Sequence, residues 1–354
     1  MIVKNEEDTL ETCLTSVGSL VDEIIIVDTG SGDRTKEIAA GFTDKIYDFV
    51  WIDDFSAARN FSYAQATMEY ILWLDADDII LPEDAFKLKK LKESIPPDID
   101  AVMMRYNTGF DPQGNVTFFC YRERLSKRNG NFKWKEPVHE YLDAGWRRIT
   151  ADICITHAKS HGRQNNRNIL IYENLLAQGE ELSPRGMYYY ARELKDHARY
   201  TDAIKYFRLF LDGEQGWVED KISACGELAK CCLSEKMPEE ALLCMLRSFS
   251  YDTPRAEICC QIGYYFKGQR KYRQAAFWFE LILGLDKKEY SLGFRWEDCR
   301  GYIPCIELAV CYDKLGEYEK AAKCNEMAAD YKPDSQAVML NKKYFEKRLG
   351  KYNT

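Results

Sequence analysis

The sequence predicts two domains of different class: a mostly parallel α/β sheet domain over residues 1–160 and an all-α repeat domain over 183–354, joined by a linker and connecting helix over 161–182. Three observations lead there. With 354 residues the chain exceeds one ordinary core. In the first half, short β-branched apolar runs alternate with helix-like stretches, the order that builds a largely parallel sheet. From Ser183 onward, small and aromatic residues recur at a spacing that pairs helices.

The elements of the first half follow from local pattern. Residues 6–17 carry helical apolar spacing at Leu10, Leu14 and Val17, and 23–28 read as a buried strand ending in the turn Thr29-Gly30-Ser31-Gly32. Asp33 reads as the N-cap of a helix over 35–40. Residues 45–49 form a second short strand and 57–66 another helix. Residues 70–74 make a third strand that terminates directly on Asp75-Ala76-Asp77-Asp78. Loops at strand C-termini are where open α/β sheets collect function.

In the second half, Tyr200-x-x-Ala203-x-x-x-Phe207 is echoed by Tyr272-x-x-Ala275-x-x-x-Phe279 and by Tyr318-x-x-Ala321, with a weaker copy at Glu239-Glu240-Ala241. The alanines at 203, 241, 275 and 321 are 38, 34 and 46 residues apart, which brackets the 34-residue tetratricopeptide period with insertions. Small residues let paired helices approach, and Tyr and Phe fill the space between hairpins. A helix over 169–177 precedes them. His197 falls in a repeat helix and reads as structural.

Composition narrows the function classes. The 49 Lys+Arg against 57 Asp+Glu give a net charge of −8, and no dense basic block offers the footprint of a nucleic-acid binder. No apolar run reaches the ~18–20 residues of a transmembrane helix, and residues 1–8 lack the basic start and apolar centre of a signal peptide. The expected address is the cytoplasm. Thirteen cysteines include no C-x-x-C pair, so they are expected to be reduced, buried small hydrophobes rather than zinc or redox ligands.

The acidic turn carries the chemistry. Two carboxylates one residue apart at a strand end let one side chain address a ribose hydroxyl while the other binds a hard divalent cation held by diphosphate oxygens. Alone, Asp-x-Asp is also a common solvated loop. Here it closes a string of motifs in order: Met1-Ile2-Val3-Lys4-Asn5-Glu6-Glu7, Ile26-Val27-Asp28-Thr29-Gly30-Ser31-Gly32-Asp33-Arg34-Thr35, Asp54-Phe55-Ser56-Ala57-Ala58-Arg59-Asn60 and Trp73-Leu74-Asp75-Ala76-Asp77-Asp78. Over roughly residues 1–160 this string resembles the family 2 glycosyltransferases of GT-A fold. With a tetratricopeptide-like half attached, the architecture is similar to the bacterial group that includes the sublancin-type peptide S-glycosyltransferases. The family's first strand usually begins several residues before the first motif, on which this chain starts.

The resemblance implies roles for individual residues. Val3 and Glu6 match positions lining the nucleotide pocket, Asp28 the carboxylate facing the uracil or ribose, and Arg59 the arginine beside the nucleotide and diphosphate. Asp75 matches the ribose-side and Asp77 the metal-binding member of the Asp-x-Asp motif. A carboxylate accepts from uracil N–H or ribose O–H, and a guanidinium offers forked donors to phosphate; a turn cap and a surface ion pair are the plain alternatives for Asp28 and Arg59. The stretch Asn131-Phe132-Lys133-Trp134-Lys135-Glu136-Pro137-Val138-His139-Glu140 resembles the end of the catalytic part in such two-domain proteins. It makes Glu140 the candidate general base, with Asp111 and Glu136 as competitors, and Trp134 a candidate sugar platform; a surface Glu and a packed Trp are the equal plain alternatives. His157 lies where many GT-A enzymes supply a third metal ligand, and imidazole suits manganese, although a lone His on an apolar strand is more often structural. His161 and Arg163 lie in the following loop, within expected reach of the diphosphate.

The resulting expectation is a metal-dependent inverting glycosyltransferase that moves a hexose from a UDP-sugar, with Mn2+ or Mg2+, to a peptide Cys or Ser side chain or to another acceptor. The helical half would bind the acceptor or form a homodimer interface. The alternatives are a catalytically inactive repeat scaffold that binds peptides, and a glycosyltransferase acting on cell-surface glycan.

Overall fold

The computed structural model describes residues 1–145, 147–158, 166–286 and 292–350. The chain divides into two compact units, Met1–Leu182 and Ser183–Thr354.

In the first unit, β1 (Ile2–Val3), β2 (Ile26–Asp28) and β3 (Ile46–Asp48) form a parallel sheet in the order β1-β2-β3, with Ile2 opposite Val27 and Ile26 opposite Ile46. The crossovers are α1 (Leu10–Val17) and α2 (Thr35–Ala40), followed by α3 (Phe55–Gln65). The apolar spacing of α1 turns Leu10, Cys13, Leu14 and Val17 inward. Its helix begins later than residue 6, because residues 4–9 form the loop at the end of β1. Asp54 caps α3, its carboxylate accepting from the Ala57 N–H at 2.9 Å.

A second sheet follows that local pattern did not announce. β4 (Tyr70–Leu72) pairs antiparallel with β7 (Val116–Lys127), β7 with β6 (Ala101–Phe110), β6 runs parallel to β10 (Arg148–His157), and β10 pairs antiparallel with the two-residue β5 (Asp78–Ile79). This sheet is therefore mixed, built around the long β6–β7 hairpin. Helix α4 (Pro82–Ser94) precedes the hairpin, and the small antiparallel pair β8 (Lys133–Lys135) and β9 (Tyr141–Asp143) follows it. Val102, Met104, Ile153 and Ile155 from the central strands meet Cys13, Val17 and Leu20 in one core cluster. Helix α5 (Arg167–Ala177) belongs to this unit, with the Tyr172 hydroxyl donating to the Val138 carbonyl at 3.4 Å.

The second unit is a run of helical hairpins: α6 (Pro184–Asp196) with α7 (Tyr200–Asp212), α8 (Val218–Ser234) with α9 (Pro238–Arg247), α10 (Ala256–Gly268) with α11 (Tyr272–Leu283), and α12 (Tyr302–Leu315) with α13 (Tyr318–Tyr331), followed by α14 (Gln336–Arg348). The four repeat alanines, Ala203, Ala241, Ala275 and Ala321, are all fully buried. A Cβ at Gly263 would sit 2.6 Å from the Phe279 ring, so the small residue is what lets α10 and α11 close on that aromatic. This tetratricopeptide-like hairpin packing accounts for the Ala, Gly and aromatic spacing. Among the described residues, no helix is long and apolar enough to cross a membrane. All thirteen cysteines are free thiols, most of them buried.

Candidate active site

The site lies where the strand-end loops of the first unit meet. Asp28 ends β2 almost fully buried, and its Oδ1 accepts from the N–H groups of Gly30 and Ser31, both at 2.9 Å. Gly30 has φ +102°, a conformation that side chains disfavour, so the turn needs glycine there. The Asp28 Oδ2 is buried with no partner among the described residues. Asn5 Oδ1 accepts from the Gly32 N–H at 2.8 Å, and the Glu6 N–H donates to Thr35 Oγ1 at 2.7 Å. The loops after β1 and β2 are thereby stitched together. The Val3 side chain packs in the core with Leu10, Leu14 and Ala76, and its carbonyl accepts from the Thr29 N–H at 3.0 Å. Val3 thus shapes the loop from below.

Arg59 sits inward on α3 under the acidic turn. Its Nε donates to Glu140 Oε1 at 2.6 Å and its Nη2 to Asp75 Oδ1 at 2.7 Å. The guanidinium packs against an edge-on tryptophan pair, 4.8 Å from the Trp73 ring and 4.7 Å from the Trp134 ring. Two forked donors expected on a diphosphate are therefore spent on the two carboxylates that flank the site. Asn60 explains how a distant segment reaches this point: its amide donates to the Trp134 carbonyl and its Oδ1 accepts from the Trp134 N–H, both at 2.9 Å, which pins β8 against α3. Pro137 does the same for the loop, its carbonyl accepting from the Phe55 N–H at 2.9 Å.

The sugar platform expected at Trp134 does not form. Trp134 is 3% exposed, with Trp73 and Tyr63 edge-on at 4.9 and 5.7 Å and Arg59 over its ring, so its faces are used by the core. Asp111 closes the β6–β7 hairpin, its Oδ1 accepting from the Gln113 and Asn115 N–H groups. Glu136 has a left-handed backbone, φ 74°, in the loop before Glu140. His197 bonds through Nδ1 to the Glu193 carbonyl at 2.8 Å at the end of α6, in the second unit. His161 and Arg163 lie outside the described residues.

Strand pairing brings His157 to the acidic turn. The last residue of β10 stands opposite Asp78 of β5, which sets His157 Nδ1 3.4 Å from Asp77 Oδ1 and 3.9 Å from Asp78 Oδ1. The Ala158 N–H donates to the Asp77 carbonyl at 2.8 Å and fixes the crossing. One ligand atom each from Asp77, Asp78 and His157 lies within 4.8 Å of the others. The donor set of two carboxylates and an imidazole suits Mn2+ or Mg2+.

The electrostatics favour a cation at this point. The carboxylates of Asp77 and then Asp78 beside the ring raise His157 to about 10, against the downward effect of burial. Surroundings that hold a proton on the imidazole hold a divalent cation for the same reason. Burial pushes the Glu6 carboxyl up, and Asp77, Asp75 and Asp33 add to it, while a hydrogen bond from Thr9 opposes. At Asp75 burial acts upward too, but Arg59 and then Arg124 outweigh it and carry the carboxyl down to about 2. Arg167 at the start of α5 lies over the Phe55 ring at 4.5 Å; burial lowers it, and the nearby Glu140 and Glu6 charges oppose that. It is a cation at the mouth of the site that motif reading passed over.

Residues 1–168 match the model of the "Glycosyl transferase family 2" family. This unit is a family 2 glycosyltransferase domain. The chain is also 37% identical over 143 residues to a TPR repeat-containing protein of Synechococcus elongatus, covering 40% of this chain and 34% of that protein. It is 29% identical over 221 residues to the SPbeta prophage-derived glycosyltransferase SunS of Bacillus subtilis, covering 59% of this chain and 51% of SunS. The chain thus spans between a third and a half of the length of these relatives. A crystal structure of MamA aligns with 45% of this chain and 84% of its own at 16% identity and a TM-score of 0.37. The family 2 domain is the part that contains Asp28, Arg59, Asp75, Asp77, Glu140 and His157.

Proposed function

We propose that the protein is a metal-dependent, inverting glycosyltransferase that moves a hexose from a UDP-sugar to an acceptor hydroxyl or thiol. The observation that carries this reading is the meeting of Asp77 and His157, 80 positions apart in the sequence, beside the Arg59-linked carboxylates Asp75 and Glu140. The partnerless buried Oδ2 of Asp28 supports a nucleobase N–H or ribose O–H as its missing donor.

In this reading Asp28, Val3 and Glu6 frame the nucleoside, Asp75 accepts from the ribose, and Asp77 and His157 hold the cation. A bound Mn2+ or Mg2+ would neutralise charge developing on the departing diphosphate. Arg59 keeps Asp75 ionised and fixes Glu140, whose Oε1 it occupies. Glu140 is then the base that takes the acceptor proton as the nucleophile attacks the anomeric carbon from the face opposite UDP. Arg167 is placed to balance negative charge at the mouth. The helical unit is proposed to bind the acceptor, with a peptide Cys or Ser as the preferred class because stacked hairpins offer concave grooves for extended chains. A cytoplasmic address and self-association through the helical unit belong to the same proposal.

Calorimetric titration with UDP, in Mn2+, Mg2+ and EDTA in turn and then with a panel of UDP-sugars, tests it. Cation-dependent binding that ranks the sugars is the expected outcome. Absence of UDP binding with either cation would overturn the reading.

A further inference from the structure

Arg124, on β7, is among the largest fully buried side chains of the molecule and belongs to none of the motifs that mark the site. Its guanidinium lies between the rings of Trp73, at 3.9 Å, and Tyr106, at 4.2 Å. One donor, Nη1, reaches Asp78 Oδ2 at 2.8 Å and the Trp73 carbonyl at 3.4 Å. Nε and Nη2 are buried with no hydrogen-bond partner among the described residues. A buried ion pair that leaves donors unused is poorly built for stability, because desolvation of both charges is only partly offset. Its geometric effect is specific. Asp78 Oδ2 is pinned from two sides, by Arg124 and by the Asp75 N–H at 2.9 Å, which closes the acidic turn. Asp78 can then present only Oδ1 to the cluster. That atom is fully buried, has no hydrogen-bond partner among the described residues, and lies 3.9 Å from His157 Nδ1.

We propose that Arg124 is a positioning residue of the cation site: by holding Asp78 through Oδ2 it aims Oδ1 of Asp78 at the cation as a ligand beside Asp77 and His157. The proposal rests on the metal-dependent reading of the site. Tyr106 completes the cage, its ring 4.2 Å from the Arg124 guanidinium and its hydroxyl 3.2 Å from His157 Nδ1.

The test measures Mn2+ binding to the full chain by electron paramagnetic resonance, without substrate, alongside thermal unfolding. Asp78→Asn keeps an oxygen for Arg124 and the Asp75 N–H but replaces the ligand atom by an amide. Arg124→Lys keeps the charge and loses the planar fork held between two rings. Both are expected to weaken Mn2+ roughly 10- to 100-fold, the range of outer-shell effects at metal sites, in protein that still unfolds cooperatively though at a lower Tm. If a single variant does not fold, the double variant Arg124→Met/Asp78→Asn, which buries no charge, is read in the same way. Wild-type Mn2+ affinity in folded Asp78→Asn would overturn the ligand role, and in folded Arg124→Lys the positioning role. Failure of the wild-type protein to bind Mn2+ at all would instead overturn the cation reading on which both rest.

Discussion

In the α/β unit, Arg59, Asp78, Arg124 and Glu140 are buried together and linked by hydrogen bonds that converge on one turn. The helical unit instead buries Ala203, Ala241, Ala275 and Ala321 against aromatics such as Phe207 and Phe279. It has buried charges too, Asp220 near Arg185 and Arg255 with Glu219 and Asp252. Burying a charge is costly, and a domain that concentrates several around one loop gains geometry in return for stability. Repeated apolar contact gains stability and a regular surface. The contrast teaches that converging polar burial marks the candidate site of the first unit and small-residue burial the helix packing of the second.

Substitutions can break or sharpen that contrast. The largest effect is expected from Asp77→Asn, which should remove cation-dependent UDP binding and lower transfer roughly 10³-fold, about 4 kcal/mol, with an unchanged circular dichroism spectrum. Cation-dependent binding at wild-type strength would dismiss Asp77 as a ligand. Phe279→Ala in the scaffold should act the opposite way, costing about 3–5 kcal/mol of stability by leaving a cavity among Gly263, Tyr264 and the α11 face. Chemical denaturation reads it, and a loss under 1 kcal/mol would show that the hairpins close up around the gap.

Glu140→Gln keeps an acceptor for Arg59 and should slow transfer roughly 10²-fold while UDP affinity stays near wild type. Unaltered turnover would pass the base role to another group. Asp220 supplies a pH test of the scaffold. Burial raises its carboxyl to about 6, against the downward pull of Arg185 and Arg192, while in the unfolded chain it titrates near 4. The folded state therefore binds the proton more tightly, so this contribution is complete below pH ~4 and is lost as pH rises through about 6. Asp220→Asn should flatten that slope and leave the variant more stable above pH 6, by up to about 3 kcal/mol. A slope unchanged in denaturation curves at pH 4, 5 and 7 would exclude Asp220 as its source. The smallest effect is expected from Ser183→Ala, about 1 kcal/mol, since Ser183 Oγ caps α6 by accepting from the Gly186 N–H at 2.9 Å.

The repeat alanines, the strand-end turn at Asp75 and the loops of Asp28 and Arg59 were legible in the sequence because each depends on local spacing or on a short motif. Arg124 and Tyr106 were not, since they lie in a hairpin whose residues carry no turn-to-site pattern, and their roles arise from what they stack on. Trp134 stays open in the sequence for the same reason: a tryptophan near a motif is equally suited to a sugar face and a core, and only Trp73, Tyr63 and Arg59 around it decide between them.

By itself the sequence determined the succession of elements up to the acidic turn, the change from α/β to helical hairpins and the identity of that turn, because periodicity, glycine placement and capping act over a few residues. Only the tertiary structure decided that His157 lies opposite Asp78, that Arg59 spends its donors on Asp75 and Glu140, and that Arg124 holds Asp78. Each is a contact between segments dozens of residues apart, set by strand register and by which partner can satisfy a charge once water is gone.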